Sequence, residues 1–512
     1  MKGTVCTVPK SCILSHQTAS FSTIHPLPLN ADEEFQSSDY ILHLAACLLH
    51  ELRLGEASRW YGYLQILPRS IVMIPTFWEV EELAGLDGAK ALEWLRGTEG
   101  DKELRRKVGD GLGMAAIQEY YSAIQSFFPS TPSHPCPSPF SAYVYALSMV
   151  STRAFVLDAY HTIGIIPFVD LFNHSSTSHT SLLCDQNVCP TCGSILACEH
   201  DLDLDAKLGS SDEPETPQRL AHLSVNYIQR PEAEGNNVDM CAERPIRAGE
   251  EIFSCYEEDV GDGKLLVEWG YVSGEQAGEG LTWSPRDVIR PNQVGLFMAL
   301  LQSEKMAAAV EADRREEDLL PPIPTDPTRS VGKGVKPATS GTSPNSVTAP
   351  KLIAPASTKQ FGLLNVTHNG LVSINLLIAM YLRTLPDSID GDLDRIESDL
   401  VIVFNELEAA ARHREMTLTS RNDNGLTKYK DDRQYTMKSG TSRLGHAVVR
   451  LVEERLEATF KPELSAEDLR MIHYALPTDA ILQRTALVLA EDERRLLEVV
   501  KARWIPLLGG SV

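Results

Sequence analysis

The apolar run Ile165-Ile166-Pro167-Phe168-Val169-Asp170-Leu171-Phe172 ends abruptly in Asn173-His174-Ser175. Such a run is buried as a strand or turn, so it delivers an amide and an imidazole into the protein interior. Buried polar groups are costly unless hydrogen-bonded, and the fold must therefore bring partners to meet them. A second delivery of the same kind lies further along the chain, where the β-type run Glu250-Glu251-Ile252-Phe253-Ser254-Cys255 ends in Tyr256. Either segment alone is ordinary. Asn-His-Ser is a common loop tripeptide, and a strand-terminal tyrosine is commonly a satisfied core residue.

Order and context give the two segments meaning. Before the first lies Ala146-Leu147-Ser148-Met149-Val150-Ser151-Thr152-Arg153-Ala154-Phe155, a helical stretch ending in Arg-x-Phe. After the second lies Lys264-Leu265-Leu266-Val267-Glu268-Trp269-Gly270-Tyr271-Val272. In this order the segments resemble the signature motifs of SET-domain protein methyltransferases. The sequence Leu54-Gly55-x-x-Ser58-x-Trp60-x-x-Tyr63-x-x-x-Leu67-Pro68 narrows the resemblance to the branch of plant Rubisco large-subunit lysine methyltransferase and its fungal and animal relatives.

The resemblance implies an α+β fold: a SET-type β-fold with a helical insertion, followed by a mainly α-helical C-terminal domain. It implies S-adenosylmethionine as cofactor, bound by Asn173 and His174, with Arg153 offering its bidentate fork to the cofactor carboxylate. Tyr256 would be catalytic and would also touch the cofactor, at the point where a lysine channel meets the cofactor pocket. An ordinary tyrosine pKa of about 10 suits it to positioning rather than general-base work. Phe168, Trp269 and Tyr271 are expected along the channel.

Three departures from the family pattern stand out. Glu257 follows the tyrosine where glycine is usual, and Trp269-Gly270-Tyr271 replaces Tyr-Gly-Phe. The segment Gly3 to Lys10 matches the family's second strand, and no Gly-x-Gly turn of the kind that approaches the cofactor in relatives stands before it. Two expectations follow: the sequence is a piece of a longer chain, or part of the cofactor site has been lost.

At 512 residues the chain exceeds a single core and suggests several domains. The expected division is a SET domain over 1–275, with a helical insertion over about 39–140 and a cysteine-rich insertion over about 184–220. A helical connector over 276–320, a disordered linker over 321–357 and a helical substrate-binding-like domain over 358–512 follow. Helices are expected at 141–160, Gly370–Thr384, Leu400–Arg414, Arg443–Glu457 and Ile481–Trp504, with Ser465-x-x-Asp468 as a cap. Strands are expected at 222–229, 238–244 and 251–256, and Gly249 can take positive φ in the turn between the last two. Loops are expected at Pro129–Pro137 and Thr417–Gly440.

The net charge of −23 argues against nucleic acid, which needs a basic surface, and suits a basic protein substrate such as a lysine-rich tail or a ribosomal protein. No apolar run reaches the ~18 residues of a membrane helix, and the N-terminus lacks a signal-peptide pattern. An intracellular setting, nucleus or cytoplasm, is expected, with cysteines serving as thiols or metal ligands.

Cys184-x4-Cys189-Pro190-Thr191-Cys192-Gly193, followed by Cys198-x-His200, has the shape of a zinc knuckle, whose tight turn aims both sulfurs at one point. The preferred ligands are Cys189, Cys192, Cys198 and His200, with Cys184 as substitute. Four protein ligands leave no open position, so the zinc would be structural. The alternative is a loop of free or redox-active cysteines. The acidic tail from Asp201 is expected to be solvated loop.

The leading functional expectation is transfer of methyl groups from S-adenosylmethionine to a lysine side chain of a non-histone protein. The alternative is an inactive or weak SET-like protein-binding module lacking the Gly-x-Gly loop. A third is methylation of an imidazole, which a related type of family member accepts.

Overall fold

The computed structural model describes residues 3–27, 37–128, 138–201, 218–220, 236–274, 280–303, 306, 364–368, 370–386, 393–419, 439–505 and 508. The loop expected at Pro129–Pro137, the strand at 222–229, the linker at 321–357 and most of the loop at Thr417–Gly440 lie outside them.

The chain divides into two compact units, one holding Met1–Leu92 and Lys102–Glu275 and the other Glu93–Asp101 with the described residues from 280 on. The architecture is the expected α+β one, short strands in small sheets with helices inserted between them, followed by a mainly helical C-terminal part.

In the first unit the β-type run after Gly3 forms β1 (Thr4–Pro9), followed by β2 (Leu14–Ser15). The buried helix Ser37–Leu54 comes next in the core, and it packs on the helix Pro139–Arg153. Ser138 and Ser141 form a reciprocal capping box at the second helix, and Pro139 takes a first-turn position that needs no backbone donor. Residues Ser141 to Val150 are all buried, and the Tyr143 hydroxyl donates to the Leu42 carbonyl (3.0 Å), so a polar tip is satisfied between the helices.

The helix expected over 141–160 stops at Arg153. Ala154 turns extended, and β3 (Ala154–Val156) instead pairs with β4 (Ile163–Ile165). The β-branched and aromatic residues here favour pairing over further helix. Gly164 is obligatory in β4, because a Cβ there would lie 2.6 Å from Ile13 Cγ2. The three-stranded order β2-β4-β3 thus fixes the approach to the Asn-His segment.

The second sheet contains β1, β5 (Asn173–His174), β6 (Thr180–Cys184), β7 (Asn237–Ala242) and β8 (Phe253–Ser254), in the order β1-β7-β6-β8-β5. The expected strand over 251–256 is shorter than its β-type composition suggests, and the chain leaves the ladder before Tyr256. The turn before it has Gly249 at φ +83°. The parallel pairing of β5 with β8 sets Asn173 opposite Phe253 and His174 opposite Ser254.

In the second unit Ser373 caps the helix Ile374–Arg383, and the helices Leu393–Thr419, Ser439–Ala458, Ala466–Ala475 and Ile481–Trp504 follow. Ser465 and Asp468 form the expected capping box. The short segment 93–101, within the expected helical insertion, is built into this unit. The Glu99 carboxylate accepts from the Thr282 N–H (2.9 Å) and pairs with Arg455 (3.0 Å), and Trp94 meets Phe460 edge-on.

Candidate functional site

The β5–β8 pairing puts the two polar deliveries side by side. The Tyr256 N–H donates to Nδ1 of His174 (3.1 Å), and the Tyr256 hydroxyl donates to the Phe172 carbonyl (3.1 Å). His174 Nδ1 is therefore an acceptor, which leaves Nε2 to carry the proton of a neutral ring. The two rings lie 5.2 Å apart between centroids, and Trp269 also packs at a tilt against Tyr256 at 5.3 Å. Burial pushes the Tyr256 hydroxyl above its ordinary pKa, so the phenol stays neutral at physiological pH.

Trp269 ends the helix Asp262–Trp269, which closes on Gly270 in the left-handed conformation (φ +83°). The Gly270 N–H donates to Leu265 and Leu266 carbonyls (3.1 and 3.0 Å). Glu257, the departure after the tyrosine, turns outward and pairs with Lys264 on that helix (2.6 Å).

Arg153 reaches this cluster from the helix end. Its Nη1 donates to the carboxylate (3.0 Å) and carbonyl (3.1 Å) of Asp170, and the Tyr63 hydroxyl donates to the same carboxylate (2.7 Å). The Nε of Arg153 is buried without a hydrogen-bond partner among the described residues. Burial pushes the Asp170 carboxyl above the ordinary range, with the Tyr63 and Arg153 bonds opposing it. Arg153 and Asp170 both act electrostatically on Tyr256.

Of the residues singled out in the sequence, the structure brings His174, Tyr256, Trp269 and Arg153 into one neighbourhood. Asn173 is exposed and donates to Glu251 (2.7 Å). Phe168 is exposed as well, at φ +76°, a conformation strained for a bulky residue; its ring meets Phe172 edge-on at 6.0 Å. Tyr271 is half-buried just past the helix end. Sequence reasoning missed Asp170 and Tyr63. A carboxylate inside an otherwise apolar buried run was the available signal for Asp170.

The preferred cysteine set also converges. The ligand atoms of Cys189, Cys192, Cys198 and His200 all lie within 4.8 Å of one another. Cys192 Sγ is 3.7 Å from Cys198 Sγ, which is 3.8 Å from His200 Nδ1. Zinc–sulfur bonds of ~2.3 Å in a tetrahedron separate the sulfurs by about 3.8 Å, so the donor set and its spacing fit zinc. The knuckle closes through the Gly193 N–H to the Cys189 carbonyl (2.8 Å), with Gly193 at φ +74°. Cys184 stands apart, where burial pushes its thiol up to about 11. Asp201 corrects the expectation of a solvated tail: it is buried and salt-bridged to Arg219 (2.6 Å). Its acidic type directly after Cys-x-His was the only hint, and nothing in the sequence pointed to Arg219.

A second buried polar cluster links the strands. Lys10 Nζ donates to the Asp158 carboxylate and the Asp185 carbonyl, both at 2.6 Å, and His161 Nδ1 lies 3.0 Å from Asp158. No described helix is long and apolar enough to cross a membrane.

No family model matches the sequence. Ribosomal lysine N-methyltransferase 3 of Saccharomyces cerevisiae is 24% identical over 317 residues, covering 53% of this chain and 54% of that protein. The chain thus spans about half the length of the curated relative it matches. Among solved structures, the SET domain of LSMT bound to lysine and AdoHcy aligns with 98% of this chain and 81% of its own, at 14% identity and a TM-score of 0.47. Rubisco LSMT bound to AdoMet aligns over the same shares at 14% identity and a TM-score of 0.45. The similarity to a lysine N-methyltransferase agrees with the resemblance that the motif order carries, so SET-type lysine methyltransferases are the proteins this chain is similar to.

Proposed function

We propose that this chain is a protein-lysine N-methyltransferase of the Rubisco-methyltransferase-like SET branch, acting with S-adenosylmethionine on a lysine of a non-histone protein. The observation that carries the reading is the parallel pairing of β5 with β8, which ties Tyr256 to His174 and to the Phe172 carbonyl by two hydrogen bonds. The ribosomal-lysine relative and the acidic net charge of −23 favour a basic substrate such as a ribosomal protein, met in the nucleus or cytoplasm.

Asn173, His174 and Arg153 would hold the cofactor, and the open Nε of Arg153 suits an anionic oxygen. When bound, S-adenosylmethionine supplies the methyl group as a sulfonium, an electrophile that needs no acid catalysis. The protein's own task is to present the amine unprotonated and in line. Phe172, Tyr256 and Trp269 form half-buried aromatic surface, and an amine that sheds water against such surface loses its proton more easily. Tyr256, neutral and pinned through its hydroxyl, holds that surface in place rather than accepting the proton. Alignment at near-attack distance then supplies much of the acceleration.

We also propose that Cys189, Cys192, Cys198 and His200 hold a structural zinc, a reading supported by their spacing and by the absence of an open ligand position in the set.

Calorimetry with S-adenosylmethionine on this chain, and on one extended upstream, tests the enzyme reading. Binding by either supports it, and binding by neither leaves the protein-binding module. In an active preparation Tyr256→Phe should lose ~10²-fold or more in turnover; full turnover would remove the role given to the hydroxyl.

A further inference from the structure

The zinc ligands come from two limbs of the cysteine-rich insertion, and the second limb is closed through a side-chain carboxylate as well as a backbone turn. The knuckle limb is held by the Gly193 N–H on the Cys189 carbonyl and by the Cys189 N–H on the Ser194 carbonyl, both 2.8 Å. The Cys198–His200 limb is the one held by the carboxylate. Asp201 Oδ2 accepts the Cys198 N–H at 2.7 Å, and the Asp201 N–H returns to the Cys198 carbonyl at 3.1 Å.

That carboxylate is gripped by Arg219. Nε donates to Asp201 Oδ1 at 2.6 Å and Nη2 to Oδ2 at 3.1 Å, a two-pronged contact. The same guanidinium reaches both limbs. Nη1 donates to the Asn187 carbonyl (2.8 Å), just before Cys189, and Nη2 to the Leu196 carbonyl (2.5 Å), just before Cys198. The pair is well shielded, with side-chain exposures of 15% for Arg219 and 4% for Asp201.

We infer that Asp201 and Arg219 form the outer shell of the metal centre, a clasp that sets the Cys198–His200 limb against the knuckle and on which metal retention depends. Neither is a ligand. The inference rests on the zinc reading above and adds to it. A zinc held by three thiolates and a neutral imidazole carries one net negative charge, and the guanidinium lets the Asp201 carboxylate sit beside it without adding a second. Partners of this kind, bonded to the segment that carries the ligands, typically cost roughly 10–100-fold in metal affinity when removed. Arginine is specific here, because lysine keeps the charge but has too few donors to make the two-pronged carboxylate contact while also reaching both carbonyls.

The test uses the full chain loaded with zinc and a chromophoric chelator as competitor. The unaltered protein should hold one zinc per chain. Arg219→Gln and Asp201→Asn should lose roughly 10–100-fold in zinc affinity, with Arg219→Lys falling between. Asp468→Ala, which removes a helix cap in the other unit, should lower thermal stability without moving zinc affinity. Unaltered protein without zinc would sink the zinc reading and the clasp with it. One zinc in the unaltered protein, with unchanged affinity in Arg219→Lys and Arg219→Gln, would overturn the clasp alone.

Discussion

Asp170 offers the sharpest quantitative test of how the site is held. Its carboxylate side chain is fully shielded and takes two hydrogen bonds, from Tyr63 (2.7 Å) and from Arg153 (3.0 Å). Bonds to a charged group contribute about 1.5–3 kcal/mol each. Asp170→Ala forfeits both and leaves Arg153 only the Asp170 carbonyl. Against this stands the cost of burying the carboxylate itself, which raises its proton affinity in spite of both bonds. The two effects leave a net loss of about 2–3 kcal/mol for alanine, and about 1 kcal/mol for asparagine, which keeps an acceptor for Tyr63.

The pH dependence has a definite sign. A carboxyl whose folded pKa is raised favours the fold when protonated, so its contribution is fully present below the unfolded value of about 3.9 and is lost as pH rises through the folded value. Asp170→Asn has no such slope. Its destabilisation relative to the unaltered protein should therefore be largest near pH 4 and shrink towards neutral pH. Urea midpoints across that range measure it. The turn carrying Asp170 also feeds Phe172, whose carbonyl receives Tyr256. Displacement of that carbonyl should cost ~10²-fold in turnover for Asp170→Ala. An unchanged midpoint and unchanged turnover in Asp170→Ala would refute the role of the acid, and a penalty for Asp170→Asn that grows with pH would refute the sign.

Two further substitutions probe the supports of the site. Lys10→Met breaks a pair in which both side chains are almost fully shielded, 1% and 0% exposed, and should cost about 3–5 kcal/mol in denaturant unfolding. Burial alone would raise the Asp158 carboxyl, but His161 and Lys10 outweigh it and hold it below the ordinary range. That stability is present above the unfolded value and lost as pH falls through the folded one, so Lys10→Met should begin acid unfolding at higher pH than the unaltered chain; an unchanged acid midpoint would count against the pair. Gly270→Ala forces alanine to φ +83° with its Cβ 2.9 Å from Val72 Cγ1. It should cost about 1–2 kcal/mol in thermal or urea unfolding, and the Trp269 fluorescence environment should shift with it; wild-type stability would show that the helix end has room to move.

The legible part of this protein was the part written in local pattern. Buried helices announced themselves by apolar spacing, the capping box by Ser465 and Asp468, and the knuckle by Cys189, Cys192 and Gly193. What stayed hidden was pairing across long separations. Nothing near Arg219 marks it as the partner of Asp201, and the link between Lys10 and Asp158 spans 148 residues. Helix and strand ends were misjudged for a related reason. Residues 154–156 lean towards extended backbone by composition, and the antiparallel partner Ile163–Ile165, which no local pattern reveals, turns that leaning into a strand.

The same reasoning explains why Arg153 is the most telling residue of the site. Its guanidinium is bound on one edge by Asp170, while its Nε is buried with no partner among the described residues. An unsatisfied buried donor costs about 1–3 kcal/mol, and more when charged, so a fold tolerates it where a ligand completes it. Both bonds to Asp170 fall on Oδ2, from Tyr63 and from Nη1, and its Oδ1 is likewise buried without a partner among the described residues. The pair is therefore half-assembled: a cation with a free donor beside an anion with a free acceptor. A zwitterionic amino-acid group satisfies both at once, its carboxylate meeting the guanidinium and its ammonium meeting the acid. The methionine end of S-adenosylmethionine has that chemistry, as does the free amino acid. On the proposed function, Arg153 would be the residue that meets the cofactor's carboxylate.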